Sequence, residues 1–173
     1  MAISLYDASI RAFLQTLGAI DGFLGKGLAH CRENGVDPEE LVEARIFPDM
    51  HPLRFQIQNV FIFSVGAIEA IKNGEMRRPS ERPQQNYAEL QALVAEARKK
   101  LEHVTPDEIN AREGAEVVQE ARDTKRHFTA EDFLFSFALP NFYFHATTAY
   151  DILRMKGVPL GKRDFMGVLR TKG

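Results

Sequence analysis

Tyr6, Ile10, Phe13, Leu17, Ile20, Leu24 and Leu28 recur at steps of three and four residues. That spacing turns one apolar stripe to a single side of an α-helix, and only another apolar element can cover it. It predicts a long first helix from Ser4 to Asn34, with Gly35 at the position just past the last turn where glycine is favoured. Gly18, Gly22, Gly25 and Gly27 interrupt this helix. Each lowers helix propensity by about 1 kcal/mol relative to Ala, so close packing of a neighbouring helix has to offset the cost.

The remaining elements follow from similar local signals. Asp37-Pro38-Glu39-Glu40 predicts a short second helix, with an N-cap, Pro in the first turn and acids behind it, ending near Phe47-Pro48. Leu53, Ile57, Val60, Phe61, Ser64, Ile68 and Ile71 predict a long helix from Pro52 to Lys72. Gly74 to Asn86 reads as a polar loop. Tyr87, Leu90, Val94, Ala97 and Leu101 give a shorter amphipathic helix with charges on its other face, and Thr105-Pro106-Asp107-Glu108 caps one further turn. Between Glu113 and Phe128 the helical period disappears. Val117-Val118 and His127-Phe128 flank Arg122-Asp123-Thr124-Lys125, which predicts a small hairpin or an ordered loop.

Thr129 with Asp132 opens the last helix, which runs to Lys156 and is ended by Gly157. Pro140 lies inside it and is expected to kink it and release the carbonyl of Ser136. Val158 to Gly173 reads as an irregular tail anchored by Leu160, Phe165 and Met166. The pattern predicts an all-α fold: one domain over residues 1–173, built around a four-helix bundle with a small insertion before the last helix. Phe55, Ile62, Phe63, Phe135 and Phe142 exceed what one core stripe requires, which predicts a homodimer.

Composition narrows the function classes. A net charge of -2 spread along 173 residues provides no clustered basic surface for nucleic acid. Charge, Gly or Asn interrupts each apolar run before a membrane span is reached. Cys31 is the single cysteine and the N-terminus has no basic segment leading an apolar run, so a cytoplasmic location is expected. No Walker loop, dinucleotide fingerprint, nucleophile elbow or zinc-finger spacing is present.

Polar residues on apolar faces mark the candidate site. Asn141, His145 and Thr148 share the inner face of the last helix with Leu134, Ala138 and Ile152. Buried groups of this kind need hydrogen-bond partners. Two roles fit His145: a structural histidine bonded across the bundle, or a catalytic or ligand-binding histidine at the floor of a pocket beside the Pro140 kink. Tyr143, Phe144 and Tyr150 are the candidate apolar walls, and Tyr150, Asn141 and Thr148 the candidate ligand contacts on this helix. A second cluster, Arg45, Asp49, His51, Arg54, Gln56 and Gln58, lies at the entry to the long second bundle helix. Asp49 fits the cap of that helix, and Asp49 or His51 can close the pocket from that side. Paired with His145, His51 gives a two-histidine start to a divalent-metal site, but one or two ligands fall short of a catalytic zinc, and no tight zinc is expected. His30 and Cys31 do not share a helix face, and His103 and His127 sit in polar surroundings.

Asn141-Phe142-Tyr143-Phe144-His145, Tyr150-Asp151-Ile152-Leu153-Arg154 and the stretch from Gly157 to Phe165 resemble a bacterial domain-of-unknown-function family of the DinB/YfiT-like metalloenzyme superfamily. Ala44-Arg45, Pro48-Asp49-Met50, Pro52-Leu53 and Gln56 are similar to that family's other signature. The resemblance implies an up-down-down-up four-helix bundle with a long crossover, commonly dimeric. It also implies a divalent metal held by three histidines, and metal-dependent hydrolase or thiol-transferase chemistry. Here the positions four away from His145 are Asn141 and Ala149, so His145 and His51 are the two histidines that carry over. Two functions therefore compete: a small-molecule-binding or enzyme-like protein with a polar pocket at His145, and a non-enzymatic dimeric interaction protein whose polar cluster is structural.

Overall fold

The computed structural model describes residues 3–77, 79, 82–121 and 124–172. Helix α1 spans Leu5–Asn34; Ser4 caps it by accepting from the Asp7 amide at 3.1 Å, and Gly35 ends it at φ 66°. Helix α2, Glu39–Val42, is shorter than predicted. The amide of Ala44 bonds the Leu41 carbonyl, and that of Leu53 reaches back to the Ala44 carbonyl. Residues 44–53 thus close on themselves as a loop, leaving Ile46 and Phe47 exposed.

The second bundle rod has the predicted extent but not α geometry throughout. Helix α3, Leu53–Phe61, passes through a π-helical turn, Ile62–Gly66, into α4, Ala67–Asn73. Inside the rod the buried Ser64 hydroxyl donates to the Val60 carbonyl at 2.7 Å. The third rod is α5, Tyr87–Glu102, opened by a capping box of Asn86 and Glu89. One more turn, α6, Pro106–Asn110, carries a second box, Thr105 with Glu108. The last rod runs through α7, Ala130–Asp132, a π-helical segment, Phe133–Ala138, and α8, Leu139–Met155. The Leu139 amide donates to the Leu134 carbonyl, five residues back. The wide turn lies immediately before Pro140, and extra-residue turns of this kind are one way a helix absorbs a missing donor. A short α9, Lys162–Met166, completes the chain, with Val158 and Leu160 buried as tail anchors and Met166 exposed.

Of the two alternatives for the insertion, the structure contains the hairpin. Strand β1, Glu75–Met76, lies in the segment expected to be loop and pairs in parallel with β2, Glu116–Ala121. Strand β2 pairs antiparallel with β3, Thr124–Thr129. The predicted tip residues Arg122 and Asp123 lie outside the described residues. Phe128 joins this small sheet to the bundle through ring contacts with Phe133 and Phe137.

The rods pack as a four-helix bundle in which α1 lies against α5 and α8, and α3 lies against the same two. Phe13 of α1 meets Phe142 of α8 edge to face at 4.8 Å. The apolar excess expected to form a dimer surface is spent mainly inside this core. Ile62, Phe63 and Phe142 are buried and Phe55 is half-buried; Phe135 alone of the five is exposed. Burying a side chain of this size contributes about 1.5–3 kcal/mol, which accounts for the phenylalanine-rich composition without a partner. Among the described residues no helix is long and apolar enough to cross a membrane.

Candidate functional site

Gln56, Gln58, Asn59 and Ser64 are polar yet buried on the rod that begins with α3, and His145 and Thr148 are polar yet buried on α8. The two rods meet, and a side-chain bridge joins them. His145 Nδ1 lies 2.7 Å from Gln56 Oε1, while Gln56 Nε2 donates to the His51 carbonyl at 2.8 Å. Since the Gln56 amide nitrogen is turned to that carbonyl, its oxygen faces the ring as an acceptor. Nδ1 of His145 therefore carries the proton, and in the neutral ring the lone pair belongs to Nε2.

Aromatic rings fix the imidazole plane. Phe63 stacks on His145 with ring centres 5.7 Å apart and planes 10° from parallel. Phe55 and Phe144 approach it at steep angles, at 5.9 Å and 5.3 Å. The ring is 8% exposed, and its neighbour Phe144 is exposed, so the cluster reaches the surface. The π-helical turns of both rods border it: Phe63 comes from one, and its ring partner Phe137 from the other. Such turns are frequent at functional sites because they re-aim side chains off the α-helical register.

A layer of contacts lies on the solvent side. His51 is exposed and stacks on Phe55 at 3.8 Å. The Arg82 guanidinium stands 4.3 Å from the centre of the same ring. Two groups that close cannot share one face, so Phe55 is sandwiched between them. Arg82 Nη2 also donates to Asn59 Oδ1 at 3.1 Å, and Asn59 Nδ2 donates to the Phe55 carbonyl. Next to it, Gln58 Nε2 donates to the Pro83 carbonyl and to Gln85 Oε1, both at 2.9 Å. These bonds hold residues 82–85 against α3.

The residues singled out from the sequence divide between this cluster and other places. His145, His51 and Gln56 come together. Asn141 and Thr148 share the rod with His145, but Asn141 Nδ2 donates to the Phe137 carbonyl and the Thr148 hydroxyl to the Phe144 carbonyl, each four residues back. Tyr150 lies five residues on from His145, about 140° around the helix, and packs against Phe23 and Phe165. Asp49 is exposed and does not cap α3, whose N-terminus at Pro52 has no side-chain cap bond. Phe55, Asn59 and Arg82 were not read from the sequence as site residues. Asn59 was legible as a polar residue inside an apolar rod, whereas Arg82 stands in a polar loop that gives no signal.

Three donors of suitable type are normally needed to hold a catalytic zinc. Among the described residues no group of three His, Cys, Asp or Glu side chains could hold a metal ion. His145 Nδ1 is bonded to the Gln56 side-chain amide, and the His51 ring stacks on Phe55. The donor set does not fit the three-histidine pattern. A surface groove of about 1020 Å³ lies elsewhere, lined by residues including Leu5, Arg11, Glu131 and Phe135.

Comparison with known proteins gives three results. The family described as "Domain of unknown function (DUF1993)" matches residues 5–166. A DinB family member protein from Shewanella denitrificans has a crystal structure that superposes with a TM-score of 0.85 at 27% sequence identity, over 98% of this chain and 95% of that chain. No curated protein matches. With nearly its whole length matched and a DinB-like bundle in its structure, the chain belongs to the domain-of-unknown-function family DUF1993.

Proposed function

We propose that this DinB-like protein binds a small molecule at the aromatic-walled cluster around His145. The observation that carries the reading is the bridge from the His51 carbonyl through Gln56 to His145 Nδ1. A histidine fixed through Nδ1 presents Nε2 as the acceptor or base, the arrangement by which proteins aim an imidazole at a ligand. Phe55, Phe63 and Phe144 supply the apolar walls that small-molecule sites use. Any hydrolase or transferase chemistry would run through this nitrogen acting on a bound proton. The test is a fragment screen observed by NMR on the wild type and His145→Ala. The variant is expected to remain folded and lose the hits that shift His145 and Phe144. A variant that keeps those hits, or a wild type whose hits avoid this cluster, contradicts the reading.

The alternative, a homodimeric interaction protein, has its own observation. Phe144, Thr147, Asp151 and Met155 form one exposed row on α8, spaced at three and four residues. Met155 shares a groove of about 540 Å³ with Ile46 and Phe47. The exposed Phe144 and Met155 of this row, with Ile46 and Phe47 beside Met155, are apolar side chains of the kind that mark association surfaces. We propose that two copies meet through this row. Light scattering at micromolar concentration should give twice the chain mass of 19.6 kDa, falling to a single chain in Phe144→Glu. A monomeric wild type rules the dimer out.

A further inference from the structure

We infer that the groove beside the base of the hairpin binds an apolar amine, a molecule with an ammonium group on an aromatic or aliphatic body. His145 does not line this groove, so the inference stands apart from the site proposed above. The groove encloses about 1020 Å³, at the upper end of the range for small-molecule sites. Ile3, Ala8 and Phe135 give it apolar walls. Phe133 and Leu134 of the π-helical segment are buried, whereas Phe135 is left 57% exposed at the groove. A large exposed ring beside other apolar groups marks a place where something binds.

Charge decides what that is. Glu113 and Glu131 line the same groove. Both carboxylate oxygens of Glu131 accept from the Gly114 amide, at 2.9 Å and 3.1 Å, which ties the turn carrying Glu113 to the start of the last rod. A neutral amide leaves the carboxylate charge in place, and a carboxylate can accept further bonds. Among the described residues neither glutamate forms an ion pair, whereas Asp7, the third acid of the groove, is held by Arg11 at 2.9 Å. Arg170 on the tail is the opposing charge. Helix α1 also begins here, and a helix N-terminus favours anions. Its first amides are already engaged: that of Tyr6 donates to Asn110 Oδ1 at 3.0 Å and that of Asp7 to the Ser4 hydroxyl at 3.1 Å. The groove therefore offers net negative charge beside an exposed aromatic ring. An ammonium gains from both, since a cation is also attracted to a ring face.

The test uses the full chain with phenethylamine and phenethyl alcohol, which share a shape and differ in charge. Binding is followed by NMR at low ionic strength, with thermal unfolding monitored for every variant. The amine is expected to bind the wild type about fivefold more tightly than the alcohol, as two carboxylates and a ring face allow. The double variant Glu113→Gln, Glu131→Gln keeps an acceptor for the Gly114 amide; it should bind the two probes equally, with the alcohol unchanged. Phe135→Ala, at an exposed position, should stay folded and weaken both probes. Arg170→Gln should tighten the amine by about twofold by removing the opposing charge. Equal binding of the probes to the wild type overturns the inference, as does an amine preference that survives in the double variant. So do a wild type that binds no amine in the millimolar range, probe signals that move residues away from Phe135, and weaker amine binding in Arg170→Gln.

Discussion

Tyr87 and Gly27 show how single side chains set the spacing between helices. The Tyr87 hydroxyl donates to the Leu24 carbonyl at 2.8 Å, and burial pushes its pKa well above the usual phenol range. A methyl placed on Gly27 would stand 2.3 Å from that hydroxyl oxygen but 3.5 Å from the ring carbon that bears it. Gly27→Ala should therefore cost about 1–3 kcal/mol, the range for overpacking a core. Tyr87→Phe should cost about 1 kcal/mol for the lost hydrogen bond. The double variant should be more stable than the two losses added together, because removing the oxygen removes the clash. Denaturant unfolding of the four proteins checks this; strict additivity contradicts it. Of the four glycines in α1 that the sequence marked for close packing, this one has a neighbour within 4 Å, and Gly18, Gly22 and Gly25 face open space. Periodicity told which residues line a helix, but not which neighbour each would meet. For the same reason His145 was legible as a polar residue on an apolar face, and its partner Gln56 only as one of a polar cluster. Their pairing depends on how α3 and α8 align, which no local pattern records.

Helices and their ends were the most legible elements, because caps and apolar steps are written within a few residues of one another. Asn86 with Glu89 and Thr105 with Glu108 form capping boxes. The two π-helical segments were not legible: their residues keep the apolar character of an α-helix, and the extra residue per turn is absorbed by packing. Helix α6 leads to a pH prediction. Glu108 hydrogen-bonds Lys72 and also closes the Thr105 cap, and these contacts lower its pKa from 4.5 to about 2. Asp164, held by Lys26, and Asp7, held by Arg11, are lowered as well. A carboxylate whose folded pKa is depressed contributes stability above its unfolded pKa, and that contribution is lost as pH falls through the folded value. Burial of Asp151 raises its pKa and acts in the opposite sense. The denaturation midpoint should fall between about pH 4.5 and pH 2. Glu108→Gln should be less stable than the wild type at neutral pH and converge with it at the acid end. A constant gap between the two proteins across that range contradicts the assignment.

At the scale of the whole molecule, the four-helix bundle followed from the sequence, which left the insertion before the last helix open between a hairpin and an ordered loop, and the apolar surplus was spent differently. Rings expected at a subunit surface fill the core and grip His145 instead, which makes Phe63 a wall of the candidate site. The sequence could not distinguish these uses, since an apolar helix face reads the same against a second chain, a core or a ligand. The proposed site depends on one feature of the bundle: it holds His145 through Nδ1, bonded to Gln56, and so keeps the proton off Nε2. The direct measurement is a long-range proton–nitrogen correlation spectrum of protein labelled in its histidine rings, at a pH where the imidazole is neutral, with His145→Ala giving the assignment. Nδ1 of His145 should appear as the protonated nitrogen and Nε2 as the unprotonated one, and Gln56→Ala should weaken that preference. A wild-type ring protonated at Nε2 instead would contradict the account.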